Sequence, residues 1–520
     1  MKVKYSYYIH RKKVTREYIY IPTRYIIAGA ITVLEILAIL AIMVALCINV
    51  PLFYILAMIT QAVCIVRIIA SDDNPDYKVP WLLFVTVLPV IGFMLYFMFY
   101  SRKLKPRFVR RLRELKENSY AKDDTAEFAQ LKKQSNTAYR HAKMLCNISE
   151  SHLFTNTKQT YFPSGSSMFE KMTEDLKAAK HYIFLEFFII EEGKFWNTIL
   201  EILKQKVSEG VDVRVMYDDI GCMKTLPGNY AKTLNSYGIN AVPFSRLRGH
   251  ADNEFNNRNH RKMLVIDGHI GYTGGINLAD EYIGHTIRFG HWKDTGLRLE
   301  GEAVWELTKL FLIDFGINVK NFAPPELALF PEHKTSDGGF IVPFGDGPRP
   351  IYSRMVGKSV IQNMLYSARD YVYMTTPYLI IDNDLCTDIE NTSMRGVDVK
   401  IIVPHIPDKK VVFGMTKSYY KRLMDAGVEI YEYEPGFIHA KNYLCDDTIA
   451  MTGTINLDYR SLVHHFENGV WMYNCSCIDH MKADMLDTLD KSILVTPDML
   501  KANIVQRLIR SVVRIFAPLL

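Results

Sequence analysis

The chain has 520 residues, 49% of them hydrophobic, enough for two or three domains with sizeable cores. A net charge of +6 is too small at this length to mark a nucleic-acid binder, so where the charge sits matters more than its sum. The eight cysteines form no C-x-x-C pair, which argues for a reduced compartment and against a disulfide framework or a zinc site; Cys475 and Cys477 read as small residues at a strand end.

Residues 1–24 carry seven Lys or Arg against one Glu and are expected to form a basic cytoplasmic tail. Residues 25–100 form an apolar anchor with candidate spans at Tyr25–Val50, Pro51–Ala70 and Pro80–Tyr100, the last two separated by the polar turn Ser71–Lys78. Crossing ~30 Å of hydrocarbon takes about 20 apolar residues, and several long segments differ from a cleavable signal peptide. Residues 101–160 read as a basic juxtamembrane linker, with eight Lys or Arg and one Glu between Arg102 and Lys116. Such a run places the downstream chain in the cytoplasm and attracts anionic headgroups. Basic stretches on both sides of the anchor ask for the same side of the membrane, which three spans cannot satisfy. Either the tail crosses or one segment is re-entrant, and Glu35 and Arg67 make the first two segments the less secure.

The remainder is a duplicated body, 161–330 and 331–498. Gly210–Met216 (GVDVRVM) matches Gly396–Ile402 (GVDVKII), and Leu234–Asn240 matches Leu423–Glu429. In each half a helical stretch, Trp196–Ser208 in the first, stops at a glycine and leads into a β-branched run. This alternation predicts an α/β fold of two pseudo-symmetric halves with mainly parallel sheets flanked by helices.

Both halves contain one motif. His260-Arg-Lys262-Met-Leu-Val-Ile-Asp267 and His439-Ala-Lys441-Asn-Tyr-Leu-Cys-Asp446 are each followed by Thr-Gly-x-Ile-Asn-Leu, with Asn277 and Asn456 each 17 positions after the histidine. Alternation along a strand puts His260 and Lys262 on one face. Two halves meeting face to face would then gather two imidazoles, two ammonium groups and two carboxamides, the groups needed to hold and attack a phosphodiester. Asp267 and Asp446 complete the motif, although the far end of an apolar strand suits a turn-former. Residues 499–520 space Arg507, Arg510 and Arg514 along one side of a helix that could lie at a lipid interface.

These motifs resemble the phospholipase D superfamily, whose signature is His-x-Lys-x4-Asp followed by Gly-Gly/Ser/Thr-x-Asn. The segments Phe184–Ile190, Tyr217–Gly221, Thr376–Tyr378, Tyr433–His439 and Gly453–Ser461 resemble its bacterial cardiolipin synthases, as do Asn74-Pro75, Trp81 and Leu88–Gly92 in the anchor. The resemblance implies a multi-pass enzyme of the bacterial cell membrane, with its catalytic region in the cytoplasm, that joins two phosphatidylglycerol molecules and releases glycerol. It implies His260 as nucleophile and His439 as general acid and base, and the symmetry of the two halves leaves the reverse assignment open. The catalytic set is His260, Lys262, Asp267, His439, Lys441 and Asp446, with Asn277 and Asn456 on the phosphate. Asp294 and Glu467 would each offer a carboxylate to a histidine nitrogen. No cofactor, metal or nucleic-acid partner is implied, and the partners are phosphatidylglycerol and anionic membrane lipid. Hydrolytic phospholipase D and phosphatidylserine synthase are the rival activities within the superfamily. A nuclease of this fold would not need the anchor, and a decayed scaffold would not keep both motifs. His250, His269, His285, His291, His464 and His465 read as packing or hydrogen-bonding residues, with a lipid-pocket contact kept as the alternative for His291 alone.

Overall fold

The computed structural model describes residues 2–9, 12–19, 23–100, 106–117, 122–246, 256–319, 322, 335–501 and 513–516. His250, the basic residues Arg102, Lys103 and Lys105, and most of the expected C-terminal helix, including Arg507 and Arg510, lie outside the described residues.

Each half is built on one mixed sheet, and the two sheets share a strand order. The first runs Thr157–Phe162, Gly296–Gly301, Ile270–Gly274, Lys262–Ile266, Tyr182–Phe187, Asp212–Asp218, Asn240–Phe244. The second runs Phe340–Asp346, Glu467–Tyr473, Ile449–Gly453, Asn442–Cys445, Tyr371–Thr375, Asp398–Pro404, Glu429–Tyr433, with Ser492–Leu494 added at the edge. The expectation of mainly parallel sheets is corrected here. Four neighbouring pairs in the first sheet are antiparallel and two parallel; in the second, five are antiparallel and two parallel. The cause is the motif itself. Lys262–Ile266 and Ile270–Gly274 are joined by a turn of three residues, and a connection that short can only make a hairpin. Helical crossovers of the expected kind survive only between strands such as Tyr182–Phe187 and Asp212–Asp218.

The stretch assigned to a linker is part of the folded body. Helix Asn136–Ser149 buries Ala138, Ala142 and Leu145 in the same core as Ile341, Val360 and Met364 of the second half, and Phe154 pairs with Ile341. The first sheet therefore begins at Thr157, inside that stretch. Residues Lys2–Ile9 and Lys12–Ile19, in the basic tail, pair as an antiparallel hairpin.

In the anchor, helices Thr23–Asn49 and Pro51–Ala70 follow one another across Val50, and Ile36, Leu40 and Met43 join Ala57, Cys64 and Ile68 in one apolar cluster. Among the described residues, Pro51–Ala70, with a mean hydropathy of 2.2, is the one helix long and apolar enough to cross a bilayer; Val33–Leu46 is a shorter apolar stretch. The third candidate span is not a single helix. It is two, Pro75–Val87 and Pro89–Phe99, broken at Leu88. Pro89 disfavours helical geometry at the residue before it and has no amide hydrogen to donate. Trp81 meets Tyr96, and Tyr77 meets Tyr100, so the two pieces fold back on each other. At 13 and 11 residues they reach about 20 and 16 Å, short of ~30 Å of hydrocarbon.

The fold-back closes at Gly92, where any Cβ would overlap the Phe84 carbonyl. Gly92→Leu is therefore expected to lower the thermal midpoint of the detergent-solubilised protein, by an overpacking cost of about 1–3 kcal/mol. An unchanged midpoint would show that the two short helices do not touch there.

Candidate active site

Two short parallel pairings between the halves position the motif histidines. Gly436–Ile438 pairs with His291–Lys293, and His439 N donates to Lys293 O at 2.7 Å, which sets His439 beside Asp294. Asn259 pairs with Phe466, and His260 N donates to Phe466 O at 2.9 Å, which sets His260 beside Glu467. The carboxylates are consequently exchanged. His260 Nδ1 lies 2.9 Å from both oxygens of Glu467 in the second half, and His439 Nδ1 lies 2.6 Å from Asp294 Oδ2 in the first. All four side chains are buried. With Nδ1 committed to a carboxylate, Nε2 is the atom each ring can offer to a reactant.

Each lysine is pinned next to its own histidine. Lys262 Nζ donates to His260 O at 2.6 Å, and Lys441 Nζ donates to His439 O. Burial lowers Lys262 to about 7 and Lys441 to about 8. Burial also holds both imidazoles well below the ordinary histidine value, and Lys441 and Lys262 add to that on His439. The residues of the two halves therefore feel one another's charge. Burial would raise Glu467, but His260 and His465 beside it keep its carboxyl well below the usual range, and Ser461 Oγ donates to it at 2.7 Å, as does Thr454 Oγ1. Asp294 has fewer donors, and burial pushes it up to about 7.

The two carboxylate positions are not equivalent. Thr454, the residue after the signature glycine in the second half, donates to Glu467. Its counterpart is Gly275, where a Cβ would overlap Asp294 Oδ1. The variable position of the motif is thus small in one half to admit a carboxylate and hydroxylated in the other to bind one.

Asn277 accepts from Ile189 N at 3.0 Å and donates to Tyr282 OH at 2.7 Å, leaving one amide hydrogen uncommitted among the described residues. Asn456 Nδ2 donates to Asp458 at 2.9 Å, and its Oδ1 is buried with no partner among the described residues. Asp267 and Asp446 need correcting as members of the catalytic set. Asp267, at φ 49°, accepts from the backbone N–H of Lys180, His181 and Tyr182 at 2.8, 2.8 and 2.9 Å. Asp446, also at φ 49°, does the same for Arg369, Asp370 and Tyr371. Both tie the end of the motif strand to the start of its neighbour, and the strand length keeps them away from the histidines. His291 is exposed and bonds Tyr433 OH at 2.9 Å.

The motif reading missed several site residues. Ser461 is one, and His465 is another, its Nδ1 3.6 Å from Glu467 and its ring 5.4 Å from that of His260. Neither has a counterpart in the first half, so comparing the repeats gave no sign of them. His260, His465 and Glu467 could together gather a cation, with ligand atoms within 4.8 Å of one another. The hydrogen bonds Glu467 already accepts account for this cluster equally well. Asp218 and Arg258 form a buried bidentate pair that fixes the approach to His260, with Asn259 N also donating to Asp218 at 3.1 Å.

The family described as "Cardiolipin synthase, PLD-like domain" matches residues 172–286 and 361–488, and "Phospholipase D-nuclease N-terminal" matches residues 59–99. An uncharacterized protein of Streptococcus mutans is 44% identical over 85% of this chain and 96% of its own. Cardiolipin synthase 2 of Bacillus anthracis is 33% identical over 87% of this chain and 88% of its own. Among solved structures, phosphatidylserine synthase of Haemophilus influenzae aligns with a TM-score of 0.55 and 16% identity, covering 74% of this chain and 98% of that one, which shows a shared fold.

Asp446→Ala should cost about 1–2 kcal/mol of stability, the scale of a lost capping side chain. The rate per folded molecule should hold near that of the parent. Thermal unfolding alongside turnover checks this, and a large loss of rate at unchanged stability would return Asp446 to the chemistry.

Proposed function

Because the chain belongs to the bacterial cardiolipin synthase family of the phospholipase D superfamily, and is a phosphatidyltransferase, we propose that it moves the phosphatidyl group of one phosphatidylglycerol onto a second, making cardiolipin and glycerol. The observation that carries the mechanism is the exchanged pair of imidazole–carboxylate contacts in one buried site.

His260 Nε2 attacks phosphorus, forming a P–N bond as the P–O bond to the headgroup glycerol breaks. His439, protonated when the anionic phosphodiester enters its field, gives its Nε2 proton to the departing oxygen, and neutral glycerol leaves. His439 is then neutral and takes the proton of a glycerol hydroxyl on the second phosphatidylglycerol. That oxygen attacks phosphorus, the P–N bond breaks, and His260 is restored. Glu467 and Asp294 hold the rings in register and favour the imidazolium that forms on each. Lys262 and Lys441 face the non-bridging oxygens, where charge accumulates. The spare hydrogen of Asn277 and the amide of Asn456 are placed to assist.

The anchor supports a membrane reading with an even number of crossings. On this reading Thr23–Asn49, which holds the shorter apolar stretch Val33–Leu46, crosses with Pro51–Ala70 and the chain returns, and the folded-back pair Pro75–Phe99 enters from the side it leaves. This puts the basic tail and the basic run after Tyr100 on one side, the cytoplasmic side by the positive-inside rule, together with the catalytic halves.

Three measurements test the reaction. Enzyme quenched during turnover of phosphatidylglycerol labelled at phosphorus should carry acid-labile label on His260, and with a substrate bearing a good leaving group His439→Asn should accumulate that species. Label on His439 would reverse the roles. With phosphatidylglycerol as the only lipid, lipid mass spectrometry should show cardiolipin, whereas phosphatidic acid as the main product would point to hydrolysis. Thirdly, kcat/KM should fall as pH rises through about 7 to 8, because Lys262 and Lys441 lose charge there. A rate that stays level to pH 10 would remove the lysines from charge stabilisation.

A further inference from the structure

The polar turn between the apolar helices is docked on the catalytic body rather than lying free. Asn74 Nδ2 donates to Asp382 Oδ2 at 2.8 Å, and Asn383 N donates to Asp76 Oδ2 at 2.6 Å. Asp76 Oδ2 also accepts from Tyr459 OH at 3.1 Å. Next to it the buried ring of Tyr77 lies 6.1 Å from that of His464. The turn is itself braced. Asp76 N donates to Asn74 Oδ1 at 2.9 Å, and Tyr100 OH reaches Asp73 at 2.5 Å and Ser71 at 3.0 Å, so the end of the folded-back helix pair holds its beginning.

What the turn grips is the segment that sets Glu467. Tyr459 precedes the single helical turn Arg460–His464. Within that turn Ser461 Oγ donates to Glu467 Oε1 at 2.7 Å and accepts from Asn456 N at 2.8 Å, and Glu467 holds His260. The connected series is therefore Asp76, Tyr459, the 460–464 turn, Ser461, Glu467, His260. We propose that Asp76 and Tyr459 are positioning residues for the reaction: the membrane anchor, through this contact, holds the Glu467–His260 pair in working geometry. The anchor would then do more than bring the enzyme to its lipid. Burial and the neighbouring carboxylates of Asp76 and Asp382 keep the Tyr459 phenol protonated and so a donor. The inference goes beyond the choice of acceptor, because it concerns the first half-reaction alone.

The test uses full-length protein in detergent, where every variant is already solubilised, with short-chain phosphatidylglycerol and release of free glycerol as the readout, whichever acceptor is used. Asp76→Ala and Tyr459→Phe should each lower kcat by roughly 2- to 30-fold, the range for residues along a connected network, with KM and thermal midpoint near those of the parent. The double variant should lose no more than the worse single one. Asp76→Asn keeps an oxygen that can accept both bonds and should hold kcat near the parent value. Hydrogen exchange over residues 457–466 should rise in Asp76→Ala and not in Asp76→Asn. Unchanged kcat in both single variants, additive losses, losses that track the thermal midpoint, or unchanged exchange would each overturn the proposal. Absence of glycerol release by the parent protein would instead count against the substrate assignment.

Discussion

Neither half of this protein can complete its own reactive histidine. His260 is held by Glu467 and His439 by Asp294, so each imidazole depends on a carboxylate delivered across the interface. Buried imidazole–carboxylate pairs need partners at hydrogen-bond distance, because the cost of burying a charge is recovered only when it is met by donors. The interface between the halves is therefore fixed by the chemistry it serves. The pairings Gly436–Ile438 with His291–Lys293 and Asn259 with Phe466 are how backbone geometry meets that demand. Further polar ties cross nearby, among them Asn468 Nδ2 to Thr273 Oγ1 at 2.7 Å and the buried Lys293–Asp484 ion pair.

This exchange creates an asymmetry inside an apparent repeat. The same strand order and spacing produce two sites whose carboxylates sit in different company: Glu467 among hydroxyl donors from Thr454 and Ser461, Asp294 in a space kept open by Gly275. The two imidazoles are thus alike in reach and unlike in the support they receive. The proposed two-step transfer makes the same division, one ring bonding to phosphorus while the other moves protons.

The anchor obeys the same logic of satisfied groups. Leu88-Pro89 cannot continue a helix, and an interrupted backbone in hydrocarbon is tolerated only when packed against protein. The fold-back of Pro75–Val87 on Pro89–Phe99, with aromatic contacts from Tyr77 to Tyr100, supplies that packing and brings the polar turn to the catalytic body.

The duplicated motif, its lysines and the likeness to a family of phosphatidyltransferases were legible in the chain, because they depend on residue identity and on spacing within a single strand. Asp294 and Glu467 could be named as candidates through the family resemblance; the structure adds that each stands two residues before a glycine that pairs with the motif's own, Gly296 with Gly274 and Gly469 with Gly453. Sheet direction was misread, because runs of buried β-branched residues look alike in parallel and antiparallel strands, and only the three-residue turn after Ile266 separates them. Which carboxylate serves which histidine, the parts played by Ser461 and His465, and the contact of Asp76 with Tyr459 were decided by tertiary structure alone. Those contacts join residues as many as 383 positions apart, and local sequence carries no record of what a side chain will meet once two folded surfaces close on each other.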